Sequence, residues 1–136
     1  MNRQALVVDD EHDLAVTCSR LLSRTGWRVI TVGSRDAALA ALAAGSPLAL
    51  AIVDRQLPDG DGLDVVRAVR TLGTPVIVVS GYTSRANRRQ ALAGGASAFL
   101  GKPFSVDDFL AIVGEVAGQP TPSTTSATSG TSETAP

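Results

Sequence analysis

Five short apolar runs recur along the chain, at residues 5–8, 29–32, 48–53, 76–79 and 96–100, each rich in Val, Ile, Leu or Ala. None is long enough for an ordinary helix. Unbroken apolar runs of this size suit parallel strands covered on both faces. Between them the pattern changes to a helical period. Leu14, Cys18, Leu21 and Leu22 fall on one stripe, with Gly26 as the stop. Ser34 is placed to cap a second helix carrying Ala38, Leu39 and Leu42, which Gly45, Ser46 and Pro47 end. Leu63, Val66 and Val69 mark a third helix. Ser84 is placed to cap a fourth, which stops at Gly94 and Gly95. Ser105 and Asp108 resemble a capping box before a fifth, whose stripe is Phe109, Ile112, Val113 and Val116.

This alternation, (βα)5, predicts an α/β fold: a parallel sheet with helices on both faces, joined by right-handed crossovers. In such sheets ligands bind in the crevice at the carboxyl ends of the strands. From Gly118 onward Pro, Ser, Thr, Gly and Ala dominate, no apolar period remains, and Glu133 is the only charge. Residues 1–117 are expected to form one domain, and 118–136 a disordered Ser/Thr/Pro-rich tail or linker.

Composition narrows the function classes. Apolar residues make up 44% of the chain but aromatics only 4%, so the core must be aliphatic. A formal net charge of -1 gives no general attraction for nucleic acid or acidic lipid. No apolar run approaches the roughly 18–20 residues that cross a bilayer, and the first residues, MNRQALVVDDE, lack the apolar stretch of a secretory signal. Neither direct nucleic-acid binding by this segment nor membrane association is expected. The single cysteine, Cys18, cannot form an internal disulfide, and a reducing, cytoplasmic setting is the simpler expectation.

Chemistry collects at the ends of the apolar runs. Asp9, Asp10 and Glu11 follow the first, Asp54 the third, Ser80 and Gly81 the fourth, and Lys102 the fifth. The topology places all of them on one edge of the sheet. Carboxylates crowded there repel one another and call for a cation. Mg2+, which takes oxygen ligands and keeps several waters, suits them. Asp10 and Asp54 are ligand candidates, Asp9 a direct or water-mediated one, and the Gln56 backbone carbonyl a further oxygen. A carboxylate can be the nucleophile that forms an aspartyl phosphate. Lys102 would compensate charge, Ser80 would donate to a phosphoryl oxygen, and Gly81 would leave room. Each residue also has a plainer reading. Asp9 or Asp10 could cap the first helix, Asp54 could open the turn at Pro58, Asp59 and Gly60, Ser80 and Gly81 could form an ordinary turn, and Lys102 could be a surface lysine. His12, the one histidine, is expected on a helix surface.

The segments LVVDDE at 6–11, AIVDRQLPDGDGLDVV at 51–66, VIVVSGY at 76–82 and GASAFLGKPF at 95–104 together resemble the receiver domain of bacterial two-component response regulators, the CheY-like superfamily. The resemblance covers roughly residues 4–117. It implies a flavodoxin-like three-layer fold with strand order 2-1-3-4-5 and the phosphoacceptor at Asp54. It implies Mg2+ held by Asp10, Asp54 and the carbonyl of Gln56, with Asp9 assisting. Ser80 and Phe99 take the switch positions, although Phe99 also reads as plain core. Lys102 takes the lysine position, with a cis bond to Pro103. Arg55 and Tyr82 occupy variable positions that influence phosphoryl lifetime. The implied partner is a sensor histidine kinase or phosphotransfer protein, and the implied output face is the fourth helix, fifth strand and fifth helix, through dimerisation or effector docking. Arg85, Arg88 and Arg89 place positive charge on or near that face. The interval from Asp54 to Ser80 is a few residues shorter than in many members, which predicts a trimmed third helix or following loop.

Competing chemistries fit less well. A Mg2+-dependent phosphatase with an aspartyl-phosphate intermediate would want a DxD pattern after the first strand, where Asp9 and Asp10 are adjacent. Flavin binding would need a phosphate-cradling Ser/Thr/Gly loop there, and no P-loop is present. The expectation is a signalling module rather than an enzyme. No effector pattern follows residue 117, so the chain reads either as a stand-alone receiver or as the N-terminal part of a longer DNA-binding regulator.

Overall fold

The computed structural model describes residues 3–118. The expected tail, apart from Gly118, lies outside the described residues. Five strands and five helices alternate among them: β1 (Arg3–Val8), α1 (His12–Arg24), β2 (Trp27–Val32), α2 (Arg35–Ala43), β3 (Leu50–Asp54), α3 (Gly62–Thr71), β4 (Val76–Ser80), α4 (Arg85–Ala93), β5 (Ala98–Gly101) and α5 (Val106–Ala117). A two-residue ribbon, Gln56–Leu57 against Gly60–Asp61, stands outside the main sheet, in the β3–α3 connection.

The main sheet is parallel throughout, in the order β2-β1-β3-β4-β5. Successive strand residues point to opposite faces, and the buried side chains divide accordingly. Leu6, Val8, Ala51, Val53, Val76 and Val78 join a core with Ala38 of α2, Val65, Val66 and Val69 of α3, and Ala91 of α4. Ala5, Val7, Leu50, Ile52, Ile77 and Val79 join a second core with Ala15, Cys18 and Leu22 of α1 and Phe109 and Val113 of α5. Three layers follow from this parity. The sheet is central, with α2, α3 and α4 on one face and α1 and α5 on the other. β1, β3 and β4 are apolar at both parities because both of their faces are covered.

Helix starts follow local chemistry. The hydroxyls of Ser34, Ser84 and Ser105 accept the N–H groups of Ala37, Asn87 and Asp108, and cap α2, α4 and α5. Asp61 caps α3 by accepting the N–H of Leu63. α1 ends at Thr25 before Gly26, whose φ of 93° suits only glycine without strain. α3 spans 10 residues and Pro75 leads directly into β4, in line with a short interval between Asp54 and Ser80. Strand bounds depart from the apolar runs by one or two residues, β2 and β5 among them. β2 begins at Trp27 because an edge strand needs only alternate burial, Trp27 being buried and Arg28 exposed. β5 begins at Ala98 because Ala96 still belongs to the turn that closes α4, its N–H donating to the carbonyl of Ala91.

The order reverses direction at β1, so β1 and β3 bracket a topological switch point, and the crevice opens beyond their carboxyl ends.

Candidate functional site

Ladder bonds carry the site residues to this crevice. The N–H of Asp9 donates to Val32, that of Arg55 to Val79 and that of Lys102 to Ser80, extending the strand register past the strand ends. Each chemistry-bearing side chain is thus fixed by backbone that the sheet already holds.

Asp54, at the end of β3, is buried. Its Oδ1 accepts the N–H of Gln56 at 3.0 Å, and its Oδ2 accepts from the Lys102 ammonium at 2.8 Å. The same ammonium meets Asp9 Oδ2 at 3.0 Å and Glu11 Oε1 at 2.6 Å. Carboxylate oxygens of Asp9, Glu11 and Asp54 all lie within 4.8 Å of one another. One ammonium therefore faces three carboxylates. Burial works against the charge on Lys102, but its hydrogen bonds to Asp54, Glu11 and Asp9 outweigh this and hold its pKa above that of an ordinary lysine. Burial raises Asp9 above the usual carboxylate range, against the N–H of Glu11 and the Lys102 ammonium, which both favour its charged form. An all-oxygen donor set of surplus negative charge, with one carboxylate penalised for being ionised, fits a hard divalent cation.

The sequence-derived residues distribute unevenly. Asp9, Asp54 and Lys102 converge. Asp10 is exposed and lines the same cleft, together with Glu11, His12, Gln56, Gly81 and Tyr82. Glu11 was placed at the strand ends from the sequence but given no role there, and the structure places its carboxylate in the acidic group. The only signal was its adjacency to Asp9, which does not say which of three neighbouring acids turns inward. His12 opens α1 and is exposed. Cys18 is core, its thiol pushed up to about 11 chiefly by burial. Gly81 lines the cleft, and a Cβ there would meet no heavy atom within 4 Å.

Ser80 is fully buried, and its hydroxyl donates to Gln56 Oε1 at 2.9 Å. Phe99 is buried beneath α4, with the Arg88 guanidinium 4.9 Å from its ring centroid. Tyr82 is exposed at the mouth of the cleft. Arg55 does not point at the carboxylates of the cleft. Its guanidinium bonds Asp61 in the ribbon and Asn87 and Gln90 on α4. The Lys102–Pro103 bond is cis.

The family model described as the response regulator receiver domain matches residues 5–114. The chain belongs to that family. Receiver domains are signalling modules of two-component systems. The transcriptional regulatory protein KdpE of Mycobacterium tuberculosis is 41% identical over 107 residues, which cover 78% of this chain and 47% of that protein. The chain spans about half the length of the first curated relatives it matches. A solved response regulator protein from Burkholderia pseudomallei is similar at 32% identity and a TM-score of 0.74, covering 88% of this chain and 68% of that one. A CheY-like receiver domain protein from Methanospirillum hungatei aligns at 28% identity and a TM-score of 0.74, over 85% of this chain and 93% of that chain. The flavodoxin-like fold expected from the sequence is the fold of this chain, and its strands lie in the expected spatial order.

Proposed function

We propose that Asp54 is the phosphoacceptor of this receiver domain, charged by phosphoryl transfer from a phosphohistidine of a sensor histidine kinase or phosphotransfer protein. The observation that carries the reading is the Asp54 carboxylate itself. It is buried at the switch point, held by one backbone N–H and one ammonium, and set within a cluster of acids. The Burkholderia pseudomallei neighbour carries a phosphorylated aspartic acid and a calcium ion, which supports both an aspartyl phosphate and a divalent cation beside it.

In this reading an oxygen of Asp54 attacks phosphorus, the P–N bond of the donor breaks, and its electron pair stays on the imidazole. Lys102, 2.8 Å from Asp54, compensates charge on the phosphoryl oxygens. Asp9, Asp10, Asp54 and the backbone carbonyl of Gln56 would hold Mg2+, with Glu11 as a further oxygen donor in the same group. Bound there, the cation supplies positive charge where the transferred oxygens gather. The Ser80 hydroxyl reaches the phosphoryl group, Gly81 gives it room, and Phe99 reports the change to the α4–β5–α5 face. Water attack on the aspartyl phosphate returns the carboxylate and resets the switch. Tyr82, at the cleft mouth, slows that attack, and Tyr82→Ala is expected to shorten the phosphoryl lifetime, read as the decay of phosphoprotein after donor removal.

The test is incubation with Mg2+ and a small phosphodonor such as acetyl phosphate, followed by intact-mass measurement. A single phosphoryl adduct is expected, and Asp54→Asn abolishes it. An adduct that survives Asp54→Asn overturns the assignment. The output is read as docking or dimerisation through α4–β5–α5 in a cytoplasmic setting. The alternative, a receiver serving a longer DNA-binding regulator, is favoured by the relatives named as transcriptional regulatory proteins, of whose length this chain matches about half.

A further inference from the structure

The resting Ser80 hydroxyl is fully committed, and the commitment extends through α4 to the residue beside Asp54. A serine hydroxyl has one proton to donate. Here it goes to Gln56 Oε1 at 2.9 Å, while Ser80 Oγ accepts the N–H of Tyr82 at 3.0 Å and Asn87 Nδ2 at 3.2 Å. The Asn87 amide also donates to the Tyr82 carbonyl, and its oxygen accepts from Arg55. That orientation is the one its neighbours require, because the reverse would set an NH2 group against a guanidinium and an oxygen against a carbonyl. Arg55 is fixed in turn by a two-pronged pair with Asp61, at 3.0 and 3.1 Å, and a bond to Gln90 at 3.0 Å, with only 14% of its side chain exposed.

We propose that Arg55 and Asn87 are positioning residues that hold Ser80 and the first turns of α4 in the resting arrangement, so that phosphoryl capture by Ser80 must first break this chain of bonds. The inference rests on the phosphoacceptor reading of Asp54 and deepens it. It gives Arg55 a role through α4, distinct from any direct contact with the phosphoryl group. Ser80 cannot donate to Gln56 and to a phosphoryl oxygen at once. Releasing it also removes one of the two acceptors of Asn87 Nδ2, the other being the Tyr82 carbonyl, so the state of Ser80 and the seating of α4 are coupled by the same bonds. Removing a bond present only in the resting state shifts the population towards the engaged one, by about fivefold for one net hydrogen bond.

The test uses the full chain with Mg2+ and beryllium trifluoride, a phosphoryl mimic, titrated against the wild type, Asn87→Ala, Asn87→Asp and Arg55→Ala. The Tyr82 backbone amide donates to Ser80 Oγ, so its NMR shift reports where that hydroxyl sits. Asn87→Ala and Arg55→Ala are expected to lower the titration midpoint about fivefold each and to move the free-state Tyr82 signal towards its bound position. Asn87→Asp keeps an oxygen for Arg55 but loses the donor to Ser80, and it should behave as Asn87→Ala does. The double variant Arg55→Ala/Asn87→Ala should gain little over either single one, because both cut one chain. A merely structural role would lower stability without moving the midpoint or the Tyr82 signal. Midpoints and Tyr82 shifts like those of the wild type, in variants that still form the Asp54 adduct, overturn the inference alone. A wild type that forms no adduct at Asp54 removes the phosphoacceptor reading and the inference with it.

Discussion

Gly62 is the residue on which the geometry of Asp54 most directly depends. A Cβ at this position would lie 2.1 Å from the Asp54 carbonyl oxygen, and the Gly62 N–H donates to the Arg55 carbonyl at 2.8 Å. Backbone, unlike a flexible side chain, cannot move aside cheaply. Gly62→Ala is expected to cost about 1–3 kcal/mol in urea denaturation and to slow phosphoryl uptake. Asp59 illustrates a different residue-scale effect. Its carboxylate accepts the N–H groups of Asp36 and Arg35 at the start of α2, and these bonds hold its pKa below the ordinary 3.8. An acid depressed by folding stabilises above its unfolded pKa and loses that contribution as pH falls through the folded value. Asp61 adds the same sign: burial raises its pKa, but Arg55 and the Leu63 N–H lower it further. Stability is therefore expected to fall below pH 3.8, and Asp59→Asn should flatten that acid limb in denaturation curves collected across pH 2–5, about the range where such an acid titrates. Among candidate site residues, Asp9 and Asp54 were legible because they follow apolar runs directly, and Lys102 because only Gly101 separates it from the fifth run. Glu11 was not, because neighbouring acids on a loop cannot be ranked until the loop is folded. Nor was the Arg55–Asn87 pair, whose members are 32 positions apart.

At the scale of elements, local signals predicted type well and bounds less well. Capping by Ser34, Ser84 and Ser105 was readable because a cap needs only the next three residues. For the expected capping box, the described bonds include the Ser105 half, with the Asp108 N–H as donor. α2 packs mainly through Ala38, Ala41 and Leu42, and Leu39 is only half-buried. A small-residue stripe lets the helix sit close but leaves its periodic pattern blurred. α5 carries a stripe centred on Phe109, which is fully buried and stacked on Phe104 at 5.6 Å. Phe109→Ala is expected to cost about 3–5 kcal/mol by thermal or chemical denaturation. Because Phe104 also lines the acidic cleft, the same variant should weaken cation binding beyond what its fold loss alone explains.

At the scale of the molecule, the sheet gathers more negative than positive charge at one edge. A cation that binds only the folded state adds about 1.4 kcal/mol at ten times its dissociation constant. Mg2+ is therefore expected to raise the melting temperature and EDTA to reverse it. Asp9→Asn should do two opposite things: raise stability in EDTA, because burial penalises the Asp9 charge, and reduce the gain from Mg2+. Differential scanning calorimetry with and without the cation reads both. Unchanged stability on adding Mg2+ would count against the donor set. Among the described residues no helix is long and apolar enough to cross a membrane.

The sequence by itself determined the alternation of strands and helices, the both-faces-covered character of the central strands, and the identity of the residues at the strand ends. These are properties of period and of nearest neighbours, which the chain carries locally. Tertiary structure alone decided which acids share the ammonium of Lys102, where the Ser80 proton goes, and that Arg55 turns away from the cleft towards α4. Those outcomes depend on distances between segments far apart in the chain, and such distances exist only once the sheet has fixed its register.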